Sequence, residues 1–94
     1  RHELVAHTHL IIGNLRAQRG DAHTASEAYQ KSLAISPQQS SVWSRLGAVL
    51  WTAGNYAQAN ISLNQAVRLN PRDYEAMRRK QATRVGSVQN FARI

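Results

Sequence analysis

The sequence predicts an all-α fold, a right-handed solenoid of helical hairpins, and three observations support that prediction. The chain of 94 residues matches itself after a shift of 34, so that Gly13 recurs as Gly47 and Gly20 as Gly54. Apolar residues follow helical spacing. Glycine and proline fall where the helices would have to end. A repeat of this length is typical of stacked units that cannot bury their apolar faces alone.

Apolar periodicity predicts two helices in each unit. The expected helices cover residues 3–19, 22–35, 41–53 and 56–69. Apolar positions recur between the units, in the pairs Ile12 and Leu46, Leu15 and Val49, Leu33 and Val67, and Ile35 and Leu69. Nothing in the chain favours a strand.

Four residues that disfavour helix mark the predicted boundaries. Gly20 and Gly54 lie at the turns inside the units, and glycine tolerates the left-handed conformation that ends helices. Pro37 and Pro71 follow the second helix of each unit. The residue before a proline is pushed away from helical angles, so each second helix should end there.

The organisation expected from these boundaries is a single domain over residues 1–94. Repeat one occupies residues 6–39 and repeat two residues 40–73. The register weakens after that, because Gln81 stands where the third glycine would fall. Residues 74–94 are therefore predicted to form a capping helix or a partial third repeat, and the sequence leaves both open.

The repeat resembles the tetratricopeptide repeat, abbreviated TPR. Repeat two supplies Trp43-x2-Leu46-Gly47-x2-Leu50, Ala59-x3-Leu63 and Pro71. Repeat one supplies His9-x2-Ile12-Gly13-x2-Arg16, Ala25-x3-Tyr29 and Pro37. The first repeat departs from the family pattern at His9 and Arg16.

The small residues have a physical role in this resemblance. Gly13 and Ala25, like Gly47 and Ala59, allow two antiparallel helices to approach closely where they cross. A larger residue at either position should overpack the crossing. Trp43 is expected to be a buried wedge between the paired helices.

The resemblance implies a partner-binding groove lined by the first helix of each unit. The groove residues implied by register are Asn14, Gln18, Ser44, Arg45, Ala48, Trp51, Arg78 and Arg79. An aromatic residue in a groove is a natural contact for a peptide, which makes Trp51 prominent. The alternative interpretation is that Trp51 packs on the next helix.

Some family members hold the terminal carboxylate of a chaperone tail with lysine, asparagine and arginine. In this chain Asn14 and Arg79 match that set, whereas Leu10, Arg45 and Glu75 do not. A standard carboxylate clamp is therefore not expected. Arginines in the groove still favour an acidic segment of a partner, since the planar guanidinium matches a carboxylate in two-point geometry.

The composition favours a binding protein over an enzyme. Twelve Lys and Arg against five Asp and Glu give a net charge of +7, which attracts acidic partners or simply keeps a small domain soluble. Nucleic acid is disfavoured because no aromatic stacking platform accompanies the basic residues. The sequence contains no cysteine and no catalytic, metal-binding or cofactor-binding motif, and no apolar run long enough to span a bilayer. It leaves the compartment open, with the cytoplasm as default.

The sequence therefore predicts a non-catalytic protein–protein interaction scaffold that binds a peptide or helix of a partner in its groove. The alternative is a self-assembly module, or a fragment of a longer array, whose exposed helix faces pack on neighbouring subunits. Apolar faces at residues 3–12 or 85–94 would favour that alternative.

Overall fold

The computed structural model describes residues 2–72, which form four α-helices and no strand within that range. The helices are α1 (His2–Gln18), α2 (Ala22–Ile35), α3 (Ser40–Thr52) and α4 (Tyr56–Leu69). The predicted all-α class is confirmed. None of these four helices is long and apolar enough to cross a membrane. The cap or partial repeat expected at residues 74–94 lies outside the described residues.

The observed helix bounds follow the predicted ones closely. α2 and α4 cover the expected residues, whereas α1 and α3 each begin and end one residue earlier than expected. In each of those two helices one further residue, Arg19 or Ala53, stands before the glycine. Its backbone N–H still donates to the carbonyl four residues earlier. Such terminal residues belong to the helix or to the turn depending on where the last hydrogen bond is counted.

The glycine turns inside the two units have the same geometry. Gly20 has a φ of +80° and Gly54 a φ of +88°, the left-handed conformation that glycine adopts without steric cost. In the first turn Asp21 N–H donates to the carbonyl of Arg16 at 2.9 Å, and Gly20 N–H to that of Ala17 at 3.0 Å. Asn55 and Gly54 repeat these two bonds, to Leu50 at 2.9 Å and to Trp51 at 3.0 Å. This is the Schellman pattern, which satisfies carbonyls that the helix end leaves without partners.

The proline turns end α2 and α4 as expected. Ser36 and Asn70, the residues before the prolines, have extended backbones with φ of −135° and −141°. No sequence pattern indicated the role of Gln39, the residue before α3. Its side-chain Nε2 donates to the Ser36 carbonyl at 2.8 Å and to Ser32 Oγ at 3.2 Å, which ties the start of α3 to the end of α2.

The two helices of each hairpin cross at a glycine. A Cβ placed on Gly13 would lie 2.6 Å from the ring of Tyr29, and one placed on Gly47 would lie 2.6 Å from Leu63 Cγ. The carbonyl oxygen of Ala59 lies 3.3 Å from that second position. Both distances to side chains are shorter than van der Waals contact, so any other residue at these glycines must displace the Tyr29 or Leu63 side chain or move the helices apart.

The core runs through both repeats, because α2 packs on α1 and on α3. Its central residues, all less than a tenth exposed, are Ala25, Tyr29, Leu33, Val42, Leu46, Val49, Leu50 and Ala59. The buried hydroxyl of Ser32 donates to the Ala6 carbonyl at 2.8 Å, which joins α2 to α1. The buried polar side chains of residues 2–72 all have hydrogen-bond partners.

Trp43 differs from its expected role as a fully buried wedge. The side chain is partly exposed and packs against the edge of the core. Its indole Nε1 donates to the Pro37 carbonyl at 2.7 Å, so the ring is oriented toward the loop between the repeats. A tryptophan N–H usually has a hydrogen-bond partner, and the partner of this one lies at the surface. Trp43 thus forms one wall of an open cleft of about 270 Å³, together with Leu50 and Ile61.

Candidate partner-binding groove

The groove implied by the sequence lies along α1 and α3. Residues three and four positions apart share one face of a helix. That spacing places Asn14 and Gln18 on one face of α1, and Arg45 and Ala48 on one face of α3. Arg45 Nη1 donates to Asn14 Oδ1 at 3.0 Å, so the structure brings these two faces together.

Asn14 accepts a second hydrogen bond, from a core side chain of α2. The Tyr29 hydroxyl donates to the same Oδ1 at 2.7 Å. Tyr29 is 2% exposed and its ring lies against Gly13, so the hydroxyl is the end of a rigid core side chain. We call Asn14, Tyr29 and Arg45 the inter-repeat triad, since it joins α1, α2 and α3.

Arg45 lies at the surface, and its bond to Asn14 uses only part of its hydrogen-bond donors. The guanidinium has five N–H groups, and the bond to Asn14 uses one of them. Residues 40–72 contain no aspartate or glutamate. Among the described residues the contact between a basic side chain and a carboxylate is that of His23 Nε2 with Glu27 Oε1, at 3.0 Å on α2. Arg45 therefore presents a positive charge that no carboxylate of residues 2–72 neutralises.

Trp51 packs within repeat two. Its ring centroid lies 4.4 Å from that of Tyr56, the first residue of α4, with the planes tilted by 58°. Trp51 is partly buried against the core, and Tyr56 is 51% exposed. This contact corresponds to packing on the next helix, and the two rings together form an aromatic surface at the end of the hairpin.

The remaining expected groove residues are placed as follows. Gln18 is exposed, and Ala48 is partly buried beside the core. Ser44 is 2% exposed, so its side chain belongs to the interior between the helices. Arg78 and Arg79 lie outside the described residues.

The sequence pattern indicates Asn14 and Arg45 separately, but it does not predict their contact or the part of Tyr29 in it. They are 31 positions apart in sequence. Their meeting depends on how closely α1 and α3 approach, which no local pattern encodes. For Tyr29, the signal is that the family position after Ala25-x3 carries a hydroxyl able to reach the neighbouring helix.

Asp21, a titratable residue outside the groove, has a structural role at the start of α2. Hydrogen bonds from Thr24, through its side chain and its backbone N–H, lower the pKa of Asp21 below 3.8, and the charge of Arg16 lowers it further. The Thr24 N–H lies 3.2 Å from the Asp21 carboxylate, which caps the start of α2. No three His, Cys, Asp or Glu side chains within residues 2–72 are grouped so that they could hold a metal ion.

A protein-family model described as "Tetratricopeptide repeat" matches residues 16–83. The chain belongs to the tetratricopeptide repeat family. The match includes the glycine crossing of repeat two and the helices α2 and α3, whereas Gly13 lies before its first residue. Tetratricopeptide repeats are known as scaffolds, and this family assignment makes the chain a protein–protein interaction module.

Two curated proteins are similar in sequence. The chain is 29% identical to BBSome complex member BBS4 of Bos taurus over 77 residues, which is 82% of this chain. It is 33% identical to Superkiller protein 3 of Schizosaccharomyces pombe over 66 residues, which is 70% of this chain. The aligned parts are 14% and 5% of those proteins, so the chain corresponds to a small part of each.

A solved structure shares the fold. The first TPR of Spaghetti (RPAP3), bound to the HSP90 peptide SRMEEVD, matches with a TM-score of 0.86 at 22% identity. The match covers 93% of this chain and 71% of that chain. The helical-hairpin arrangement expected from the sequence is thus the one seen in a TPR domain of known structure.

Proposed function

We propose that this TPR module binds an acidic peptide segment of a partner protein in the groove along α1 and α3. The observation that carries the proposal is the inter-repeat triad, in which Asn14 fixes the position of the Arg45 guanidinium. A fixed arginine loses less side-chain entropy when it binds a ligand than a freely moving one.

The chemistry of Arg45 selects a carboxylate. Asn14 Oδ1 accepts from one guanidinium nitrogen, Nη1, and that bond uses one of the five N–H donors of the guanidinium. A carboxylate can accept two parallel bonds from an arginine, which gives both strength and a defined orientation. Asparagine, with its amide N–H groups, adds a donor beside it.

The charge of the whole chain supports the same class of partner. The net charge is +7, and repeat two contributes no acidic residue up to residue 72. Such a field attracts an acidic segment and speeds its encounter with the groove. The peptide bound by the structural neighbour, SRMEEVD, is itself acidic. Arg78 and Arg79 are proposed to extend the basic side of the groove.

The apolar side of the groove would hold the side chains that flank the carboxylate. Ala48 is small and partly buried, and Trp51 with Tyr56 forms an aromatic surface further along α3. Aromatic residues contribute large contact areas at binding sites. We therefore propose that the bound segment combines an acidic residue over Arg45 with an apolar residue near Trp51.

A peptide selection tests this function. Random twelve-residue peptides displayed on phage are selected on the immobilised 94-residue chain, and the affinity of the best peptide is measured by fluorescence polarisation. The selected peptides should share an aspartate or glutamate. Arg45→Gln should weaken binding by about tenfold or more, because it removes hydrogen bonds to a charged group.

The matched control is Lys31→Gln on α2, which removes one positive charge at an exposed site away from the groove. We expect it to change the affinity less than twofold. Equal losses in the two variants would mean that only the net charge matters. Unchanged binding in Arg45→Gln would contradict the proposed site.

The mode of binding should differ from a terminal-carboxylate clamp. Leu10 stands where that clamp has a lysine, and leucine offers no charge to a terminal carboxylate. The best selected peptide should therefore bind equally well with a free or an amidated C-terminus. A strong requirement for the free C-terminus would show that a clamp forms from other residues.

A further inference from the structure

A second hollow surface of the molecule lies between α2 and α4. It consists of two adjoining hollows of about 270 and 230 Å³, and both are lined by Gln30, Trp43 and Leu46. The larger hollow continues to Ile61 on α4, and the smaller one continues to Ala34 on α2. We call the two hollows together the α2–α4 cleft.

The α2–α4 cleft is separate from the proposed groove. Trp43 lines the cleft, whereas Arg45 belongs to the groove. The two residues are two positions apart on α3, so they project from nearly opposite sides of that helix. A peptide bound beside Arg45 would therefore leave the cleft open, and a site in the cleft does not depend on the function proposed for the groove.

Trp43 is a fixed wall of the cleft. Its Nε1–H donates to the Pro37 carbonyl at 2.7 Å, which holds the ring in one orientation. The indole has no other hydrogen-bond donor and no acceptor, so it offers the cleft an apolar surface. A side chain that is already fixed loses little conformational entropy when a ligand packs against it. The wall is therefore suited to binding.

The internal repeat shows that the fold does not require this wall. After the 34-residue shift Trp43 corresponds to His9, and Ile61 corresponds to Glu27. Both residues of repeat one are polar, yet its helices also cross closely at a glycine. Ile61 is 66% exposed, so its apolar side chain adds little to the core. Apolar residues that border an open hollow are characteristic of binding sites.

The charge of the cleft differs from that of the rest of the chain. The net charge of the chain is +7, but the described residues that line the two hollows are all uncharged. A carboxylate or an ammonium group buried there would lose its hydration without gaining a charged partner. The cleft therefore selects an uncharged segment, whereas the groove is proposed to select an acidic one.

The size of the hollows indicates how such a segment would lie. Pockets for small-molecule ligands measure about 300–1,000 Å³, and each hollow is smaller than that. Each is thus suited to a single side chain. In an extended chain every second side chain points to the same side, with a spacing of about 3.3 Å per residue. Two side chains separated by one residue are therefore placed to enter neighbouring hollows.

Two glutamines supply hydrogen bonds for the main chain of the segment. Gln30 on α2 and Gln58 on α4 line the larger hollow, and both side chains are exposed. A glutamine amide has two N–H donors and a carbonyl acceptor. These groups match the carbonyl and N–H groups that an extended peptide leaves unpaired.

We propose that the α2–α4 cleft is a second binding site, which receives an extended, uncharged segment of a partner protein. Two aliphatic side chains of the segment, separated by one residue, occupy the two hollows on either side of Leu46 and against the Trp43 ring. Gln30 and Gln58 hydrogen-bond to its main chain. The module would thus hold two chemically different segments at once.

A subtractive peptide selection tests the proposal. Random nine-residue peptides displayed on phage are selected on the immobilised 94-residue chain, after phage that bind the Ile61→Glu variant have been removed. That variant places the repeat-one residue at an exposed position and keeps the groove, so peptides that bind the groove are removed with it. The remaining peptides should carry two aliphatic residues separated by one position and share no acidic residue.

The affinity of the best peptide is then measured by fluorescence polarisation. Ile61→Glu should weaken binding at least about tenfold, because it places a carboxylate beside an apolar side chain. Ala57→Glu adds the same charge at an exposed position of α4 that does not line the cleft, and it should change the affinity less than twofold. Gln30→Ala/Gln58→Ala should weaken binding about fivefold. Arg45→Gln, in the groove, should have no effect.

Several results would overturn the proposal. They are the absence of any enriched peptide, apolar residues spaced by three or four as in a helix, equal losses in Ile61→Glu and Ala57→Glu, full affinity in Gln30→Ala/Gln58→Ala, and loss in Arg45→Gln. Circular dichroism melts establish that each variant is folded. Light scattering of the free chain should show a constant monomer mass. Growth in mass that Ile61→Glu removes would identify a second copy of the chain as the occupant and contradict the proposal.

Discussion

Repeat one and repeat two have the same backbone design but different side chains at the helix crossing. In repeat one Gly13 lies under the ring of Tyr29, and in repeat two Gly47 lies under Leu63. The hydroxyl of Tyr29 continues to Asn14, whose counterpart in repeat two is Ala48. The polar pair Tyr29 and Asn14 of repeat one thus corresponds to the apolar pair Leu63 and Ala48 of repeat two.

This difference shows how a repeated fold acquires a specific surface. The glycines and prolines that set the helices are the same in both units, so the frame is shared. The positions between them differ, and they would give the proposed groove a polar part at Asn14 and Arg45 and an apolar part at Ala48 and Trp51. Family resemblance therefore predicts the frame, whereas the binding chemistry depends on the departures from it.

The largest effect is expected at the crossing of repeat two. Gly47→Leu should lower the free energy of unfolding by about 3 kcal/mol, the upper part of the range for overpacked cores. Even a Cβ here would lie 2.6 Å from Leu63 Cγ and 3.3 Å from the backbone oxygen of Ala59. Urea denaturation measures the loss. Ala57→Leu, at an exposed position of α4, is the control, and an unchanged midpoint in Gly47→Leu would contradict the close crossing.

The next largest effect is expected at Trp43, and it is compared with His9, the residue at the equivalent position of repeat one. Trp43→Ala should cost about 2–3 kcal/mol, less than for a fully buried tryptophan because the ring is partly exposed. His9→Ala, at the equivalent position of repeat one, should cost less than about 1 kcal/mol. Thermal melts of the two variants measure the difference. Equal losses would mean that repeat one depends on His9 as repeat two depends on Trp43.

A smaller effect is expected from the hydroxyl that distinguishes the crossings. Tyr29→Phe keeps the ring against Gly13 and removes the 2.7 Å bond to Asn14. We expect a loss of about 1 kcal/mol in stability and weaker binding of the selected acidic peptide, because Asn14 no longer holds Arg45 as firmly. Leu63→Met in repeat two is the control, and it should leave peptide affinity unchanged. Unchanged peptide affinity in Tyr29→Phe would show that the Tyr29 hydroxyl does not contribute to binding in the groove.

The smallest effect distinguishes the starts of α2 and α4. The Asp21 carboxylate accepts from Thr24, whereas the Asn55 side chain makes no capping bond. Because the folded-state pKa of Asp21 is lowered below 3.8, its stabilisation is complete above that pH and is lost as the pH falls through the lowered value. Wild type should therefore lose stability relative to Asp21→Asn between about pH 5 and pH 2. Melting temperatures across that range test this, and a constant difference would show that the cap does not titrate.

Much of the frame was predictable because it rests on local rules. Gly20 and Gly54 require a left-handed turn, and Pro37 and Pro71 force an extended residue before them, so helix ends follow from single residues. Trp43 was harder, because its burial depends on where its indole N–H finds a partner. That partner, the Pro37 carbonyl, lies in a loop that periodicity does not describe.

The geometry of the proposed groove was predictable only in part. Register assigns Asn14 and Arg45 to the first helices of the two repeats, because residues that share a helix face recur at fixed spacing. Their hydrogen bond and the hydroxyl of Tyr29 beneath it depend on packing between repeats. The apolar residues Ile12 and Leu15 of α1 follow from the sequence, but the contrast between their exposure and the burial of their counterparts Leu46 and Val49 needed the structure.

The most direct test is nuclear magnetic resonance of the labelled 94-residue chain during titration with the best selected acidic peptide. If the groove along α1 and α3 is the binding site, the largest shifts will occur at the amides around Asn14, Arg45 and Ala48, and Arg45→Gln will abolish them. Shifts confined to the exposed sides of α2 and α4 would contradict the account.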